Sequence, residues 1–194
     1  MHFLSALKGM WVLVFTLLVV VLDQITKLAV KARFFFGEKL EIFGNFFQFT
    51  YIENEGMAFG FLRDSGAGGR LFLTIFASIA SLVILVYLYR MRRERFYPRF
   101  SLALILGGAI GNLIDRFAYG KVIDFIDVGI DSIGLRWPVF NIADSAVTVG
   151  MIILISLVLF ERDKSEQPSP PAFPAQQPAP SDEQDNWRDA QRRN

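Results

Sequence analysis

Residues 100–117 read FSLALILGGAIGNLIDRF, and their order is what decides the fold. From Phe100 to Ile114 the stretch carries no charge, which is about 22 Å of helix at 1.5 Å per residue; Asp115 and Arg116 follow at once. A hydrocarbon core about 30 Å thick takes about 20 such residues, so this segment crosses a bilayer and ends in a polar tip near one surface. Three further segments have the same character, giving predicted spans at 10–30, 71–89, 100–117 and 139–160. The expected fold is a mainly α integral membrane protein, a four-transmembrane-helix bundle.

Composition agrees. The 194 residues are 53% hydrophobic, with a mean hydropathy of +0.37 and a formal net charge of +1. That balance offers no broad basic field, so nucleic acid is not an expected partner. There is no cysteine, which removes thiolate chemistry and cysteine-held metals, and the single histidine, His2, lies far from any constellation. A Ser-His triad and a two-histidine zinc helix are thereby excluded. Carboxylates, hydroxyls, Lys and Arg are left to carry any reaction, with no metal and no cofactor expected.

The connection between the second and third spans holds Arg90, Arg92, Arg93, Arg95 and Arg99 against one acid, Glu94, which predicts a cytoplasmic loop. Four spans then place both termini inside and the segments 31–70 and 118–138 outside, and Arg162 and Lys164 after the last span agree. Lys8 before the run Gly9–Leu22 resembles a signal peptide, but Asp23, Gln24 and Lys27 follow without a small-x-small site, so a retained helix is expected. In the first outer segment Leu40, Ile42, Phe47, Phe49 and Tyr51 partly alternate with polar residues, which predicts short strands of a small sheet. Its phenylalanines, Phe34 to Phe36 included, suit either an interfacial belt or the core of a small cap. Residues 163–194 hold six of the eight prolines, the composition of a disordered cytoplasmic tail, after a membrane domain spanning 1–162.

Depth is the informative quantity for polar residues inside a membrane, where each is costly. Counted from the cytoplasmic side, about 21 Å of uncharged helix precedes Asp23, about 22 Å precedes Asp115, and about 24 Å separates Phe160 from Asp144. Three spans thus turn polar at one level, which points to a single site between them. The second span offers only Thr74, Ser78 and Ser81, which can bond along their own helix, and reads as scaffold. Gly107 and Gly111 permit close helix approach.

Gly108, Asn112, Asp115 and Arg116 share one face of the third span. Asp115 and Arg116 alone read as an interfacial anchor, but Asn112 sits a turn deeper, where an unpaired amide is expensive. The run Val122–Asp127 carries two acids three apart; Asp127 reads as the solvated one, whereas Asp124 is surrounded by Val122, Ile123, Phe125 and Ile126. Trp137 and Pro138 mark the start of the fourth span, with Asn141 and Asp144 on one face. Asp144 is either an acid favouring the helix dipole or, one turn further in, a residue that needs a partner. Asp23 and Lys27, at i and i+4, form a natural ion pair that supports the structure.

Two carboxylates held together in a poorly solvated site do not ionise easily at once, so one keeps a proton near neutrality. The ionised member can take a proton from water attacking a carbonyl, while the other donates to the carbonyl oxygen and then to the leaving amine. Arg116, Asn112 and Asn141 can orient that pair.

Over roughly residues 10–162 the chain resembles the signal peptidase II family, the bacterial lipoprotein signal peptidases. The resemblance is carried by Asp23, Gln24, Thr26 and Lys27; by Asn54, Gly56, Ala58, Phe59 and Gly60; by Gly111–Arg116 (GNLIDR); by Val122, Asp124 and Phe125; and by Phe140–Ser145 (FNIADS). It implies an aspartic endopeptidase that cleaves prolipoproteins just before a diacylglyceryl-modified cysteine, with Asp124 and Asp144 as the catalytic pair. Asn54, Asn112, Asp115, Arg116, Asn141 and Ala143 would bind substrate or support the site, with Asp23, Lys27 and Gly108 as structural support. It further implies a bacterial inner membrane, an active site near its outer face, an extracytoplasmic β-sheet cap and a short interfacial helix in the first outer segment. Partners would be lipid-modified prolipoproteins and membrane lipids, with the enzyme a monomer.

Two other readings compete. An ion-coupled transporter would place polar groups through the whole bilayer rather than at one level. A Ser-Lys protease built on Ser145 and Lys27 would need a neutral lysine, which Asp23 works against.

Overall fold

The computed structural model describes residues 9–56 and 66–165. Its elements in chain order are α1 (Leu13–Arg33), β1 (Lys39–Phe43), β2 (Phe47–Asn54), α2 (Gly66–Arg90), α3 (Phe96–Tyr119), β3 (Val122–Ile130), a 3-10 turn (Asp131–Ile133), β4 (Leu135–Arg136) and α4 (Ile142–Ser165). All four α-helices are long and apolar enough to cross a membrane.

Their sidedness is that of a protein in lipid. On α1 the buried residues Thr16, Val19, Asp23, Lys27 and Val30 recur every three or four positions and form one stripe. Leu17, Leu18, Val21, Leu22, Ile25 and Leu28 cover the exposed face. Polar groups are thus inward and apolar ones outward, the arrangement that hydrocarbon favours. Helix α3 is the most buried of the four and packs against both α1 and α2. Small residues let its neighbours come close. A Cβ added at Gly107 would lie 2.8 Å from that of Val19 on α1, and one at Gly108 would strike the Ala143 carbonyl oxygen of α4. On α2, Thr74, Ser78 and Ser81 donate to the carbonyls four residues back at 2.7–2.8 Å, so its hydroxyls are satisfied within the helix, as expected of a scaffold.

The strands form one antiparallel sheet in the order β1-β2-β3-β4. Gly120, at φ +71°, closes α3 in the left-handed region and turns the chain directly into β3. This short turn delivers β3 to the polar end of the bundle. Tyr51, Ile123 and Phe125 of the sheet pack with Val30 of α1, which seats the sheet on the helices. Along the outer edge, β1 is exposed at every position, and Phe35, Phe36, Phe43 and Phe46 are exposed around it.

Two expectations change, the start of the fourth span and the setting of Asp127. The fourth span starts at Ile142 rather than 139, because Phe140 is extended and pairs with Ile126 of β3. Asp144 therefore lies in the first turn of α4, not the second. Asp127 is not a solvated acid: it is 2% exposed, accepts from Arg136 at 2.6 Å and from the Thr50 hydroxyl at 2.7 Å. The predicted interfacial helix does not occur between Phe34 and Gly56; the remainder of that segment, residues 57–65 with Ala58, Phe59 and Gly60, is outside the described residues. So is the Pro-rich tail from residue 166 onward.

Candidate active site

Asn141 is the pivot of the polar cluster. It is fully buried and immediately precedes α4, and its Oδ1 accepts the backbone N–H of Asp144 at 2.8 Å while Asp144 Oδ2 accepts the backbone N–H of Asn141 at 3.2 Å. This reciprocal pattern is a capping box, with asparagine and aspartate in the roles usually taken by Ser/Thr and Glu. Asp144 is therefore the first-turn acid that favours the helix dipole. Its carboxylate is fixed by the start of its own helix.

The same asparagine reaches the other acid. Asn141 Nδ2 donates to Asp124 Oδ1 at 2.6 Å, to the Ile123 carbonyl at 3.2 Å and to Asn112 Oδ1 at 3.1 Å. Asn54 Nδ2 at the end of β2 donates to Asp124 Oδ2 at 2.9 Å, and Asn112 Nδ2 donates to Asp144 Oδ1 at 2.8 Å. Both oxygens of each carboxylate thus accept a protein donor, and the two acids, from β3 and α4, are joined through Asn141 and Asn112. Asp124 is 2% exposed. Burial first, and the nearby Asp144 charge second, push its carboxyl up to about 7, against the opposing pull of the Asn54 and Asn141 hydrogen bonds. Asp144 is only half-buried and borders a cleft of about 330 Å³ walled by Trp137, Phe140 and Val149.

Behind the pair lies a second cluster. Lys27 Nζ, 1% exposed, contacts Asp23 Oδ2 at 2.8 Å, Asp115 Oδ2 at 2.9 Å and Asn112 Oδ1 at 2.9 Å. The expected Asp23–Lys27 pair exists, but Asp115 is an equal partner across the helix interface, so Asp115 is no interfacial anchor. Asp115 Oδ2 also accepts the backbone N–H of Ile123 at 3.0 Å, tying the start of β3 to α3 next to Asp124. Asp23 Oδ1 accepts the backbone N–H of Ala143 at 2.9 Å, which ties α1 to the first turn of α4. Ala143 is fully buried, and its methyl would lie 3.2 Å from a Cβ at Gly111, so only a small side chain fits there. Arg116 is half-buried, donates to the Asn112 carbonyl at 3.4 Å, and lies within electrostatic range of Asp144 and Asp124.

Gln24 was marked in the sequence by its place in a motif and as one of the polar residues ending the apolar run of the first span. Its Nε2 donates to Asp115 Oδ1 at 3.0 Å and to the Gly111 carbonyl at 3.1 Å, joining α1 to α3. Its depth, one residue past Asp23, was the available signal. Ser145 Oγ donates to the Asn141 carbonyl at 2.9 Å, and Lys27 spends its three protons on Asp23, Asp115 and Asn112, which removes the Ser-Lys arrangement.

Residues 15–160 match the model of the family described as signal peptidase (SPase) II. The lipoprotein signal peptidase of Cupriavidus necator is 44% identical over 141 residues, 73% of this chain and 78% of that one. That of Syntrophus aciditrophicus is 43% identical over 150 residues, 76% of this chain and 92% of that one. Two solved structures, each described as a bacterial membrane enzyme, superpose with TM-scores of 0.71 and 0.68 at 29% and 32% identity. They cover 82% and 76% of this chain, and 93% and 92% of their own. With the family model, close relatives and fold in agreement, this multi-pass membrane protein belongs to the signal peptidase II family.

Proposed function

We propose that this chain is the endopeptidase that removes the signal peptide from diacylglyceryl-modified prolipoproteins, cutting just before the lipidated cysteine, and that Asp124 and Asp144 activate the attacking water. The observation that carries this reading is the joining of two carboxylates, from β3 and α4, through buried Asn141, whose Nδ2 donates to Asp124 and whose backbone N–H donates to Asp144. Asp144, half-buried beside the cleft, is the partner that takes a proton from water. Asp124, protonated below about pH 7, donates its proton to the scissile carbonyl oxygen; as the tetrahedral intermediate collapses that proton returns to Asp124, and Asp144 passes the proton taken from water to the leaving amine. Asn54, Asn112 and Asn141 hold the carboxylates before substrate arrives, and Arg116 lends positive charge where the oxyanion forms.

The arginines at 90, 92, 93, 95 and 99 support a cytoplasmic α2–α3 connection, both termini inside, and a site near the outer face of the bacterial inner membrane. That depth suits a substrate whose acyl chains stay in the lipid and hold the scissile bond at the interface. The exposed phenylalanines around β1 suit contact with membrane lipids. Residues 1–162 form the protease unit, 163–194 take no part in the chemistry, and a monomer suffices because one chain supplies both acids. Cleavage of a purified lipid-modified precursor tests the pair: Asp124→Asn and Asp144→Asn should lose nearly all turnover while Ser145→Ala retains it. Full turnover by either Asn variant removes the dyad.

A further inference from the structure

Three asparagine amides serve the acid pair, and each works only if its NH2 group faces a carboxylate; reversed, it would turn an oxygen toward a negative charge. Something must hold each the right way round. For Asn54 it is the backbone N–H of Gly56, which donates to Oδ1 at 2.8 Å. For Asn141 it is the backbone N–H of Asp144, also at 2.8 Å. Asn112 lies within α3, where the neighbouring backbone N–H groups are committed to the helix, and among the described residues no main-chain donor meets its Oδ1. Two side-chain donors meet its Oδ1: the ammonium of Lys27 at 2.9 Å, and Asn141 Nδ2 at 3.1 Å, whose two protons are also drawn by Asp124 Oδ1 at 2.6 Å and the Ile123 carbonyl at 3.2 Å, so the ammonium is the donor committed to Asn112.

We propose that Lys27 is a positioning residue for proteolysis: its ammonium fixes the Asn112 amide so that Nδ2 faces Asp144. An ammonium has three donors and no acceptor, so it tolerates only the oxygen of Asn112. Asp23 and Asp115 take the other two protons at 2.8 and 2.9 Å, and the third is directed at Asn112 alone. A lysine needed only to hold α1 against α3 would be satisfied by those two acids. This assignment rests on Asp144 being one of the catalytic pair, and it adds a line of control from α1 through α3 to α4.

The test uses the full chain in detergent micelles with a lipid-modified precursor peptide. Lys27→Met, Asn112→Ala and the double variant are compared for kcat, KM and thermal unfolding. Each single variant should lower kcat on the order of a hundred-fold, the cost of a misplaced catalytic group, with KM changed by less than about two-fold. The double variant should be no slower than the slower single, since both act through one bond. Should Lys27→Met unfold because two buried acids lose their cation, Lys27→Met with Asp23→Asn restores charge balance and should keep the same loss of kcat. Multiplied losses in the double variant, wild-type kcat in a folded Lys27→Met, a rise in KM alone, or activity restored by Asp23→Asn would each overturn the proposal. Asp144→Asn in the same assay separates the two levels: if it turns over fully, the dyad itself fails, whereas its inactivity beside an active Lys27→Met removes only the positioning role.

Discussion

Asn141 performs two separable tasks, and a pair of substitutions divides them. Its Oδ1 caps α4 by accepting the Asp144 N–H, and its Nδ2 bridges to Asp124, Asn112 and the Ile123 carbonyl. Asn141→Ser keeps a capping oxygen but has no Nδ2 to reach Asp124, whereas Asn141→Ala loses both. The cap is worth about 1 kcal/mol. Above about pH 7, where Asp124 is ionised, a hydrogen bond to the charged group contributes roughly 1.5–3 kcal/mol, and this one is buried and short. At about pH 8 Asn141→Ala should therefore lose about 2.5–4 kcal/mol of stability and Asn141→Ser about 1 kcal/mol less, a Tm difference of roughly 2–4 °C for a chain of this size. Both variants should lose turnover on the order of a hundred-fold, because both leave Asp124 without its link to Asp144. The hydrogen bond from Asn141 also favours ionised Asp124, so its removal should move the alkaline limb of kcat/KM to higher pH. Thermal unfolding in micelles and precursor cleavage across pH measure all three effects. An Asn141→Ser enzyme with wild-type turnover and an unmoved pH limb would refute the bridge.

Other perturbations follow from the same contacts. Asp124 has a folded pKa raised from 3.8 to about 7, so its proton-linked stabilisation is complete below about pH 4 and is lost as pH rises through about 7. Urea unfolding should accordingly show wild type losing stability relative to Asp124→Asn between pH 4 and 8, and a constant gap would contradict the burial. In wild type, kcat/KM should also fall above about pH 7 as the acid is deprotonated. Gly108→Val should force α4 away from α3, since even a Cβ there strikes the Ala143 carbonyl, and both folding yield and activity should drop. Asp127→Ala should cost roughly 1–3 kcal/mol, chiefly because the buried Thr50 hydroxyl loses its acceptor while Arg136 keeps the Asn45 carbonyl, and the folded fraction should keep its turnover, as unfolding combined with active-site titration can measure.

The spans were legible because length and apolarity are local properties, and a bilayer imposes both on each helix separately. The common depth of Asp23, Asp115 and Asp144 was legible for the same reason: the cost of a polar group in lipid depends on its place along one helix, whatever it meets. Apolarity misled at Met10–Val12 and at Val139 and Phe140, each of which read as the start of a span. Backbone pairing of Phe140 with Ile126 keeps Val139 and Phe140 extended, and α4 waits for its Asn141 cap.

Pairing was a different matter. Asp127 looked solvated because its partner Arg136 lies across a turn and its partner Thr50 is 77 residues away. Lys27 could be matched with Asp23 four residues before it, but Asn112 and Asp115 stand 85 and 88 positions further on, and no periodicity within α1 announces them. Residue type and depth along each segment established a polar site bounded by acids. Which carboxylate faces which amide, and which way each amide is turned, was settled by folding, because a hydrogen bond depends on distance and direction between groups that sequence order leaves unrelated.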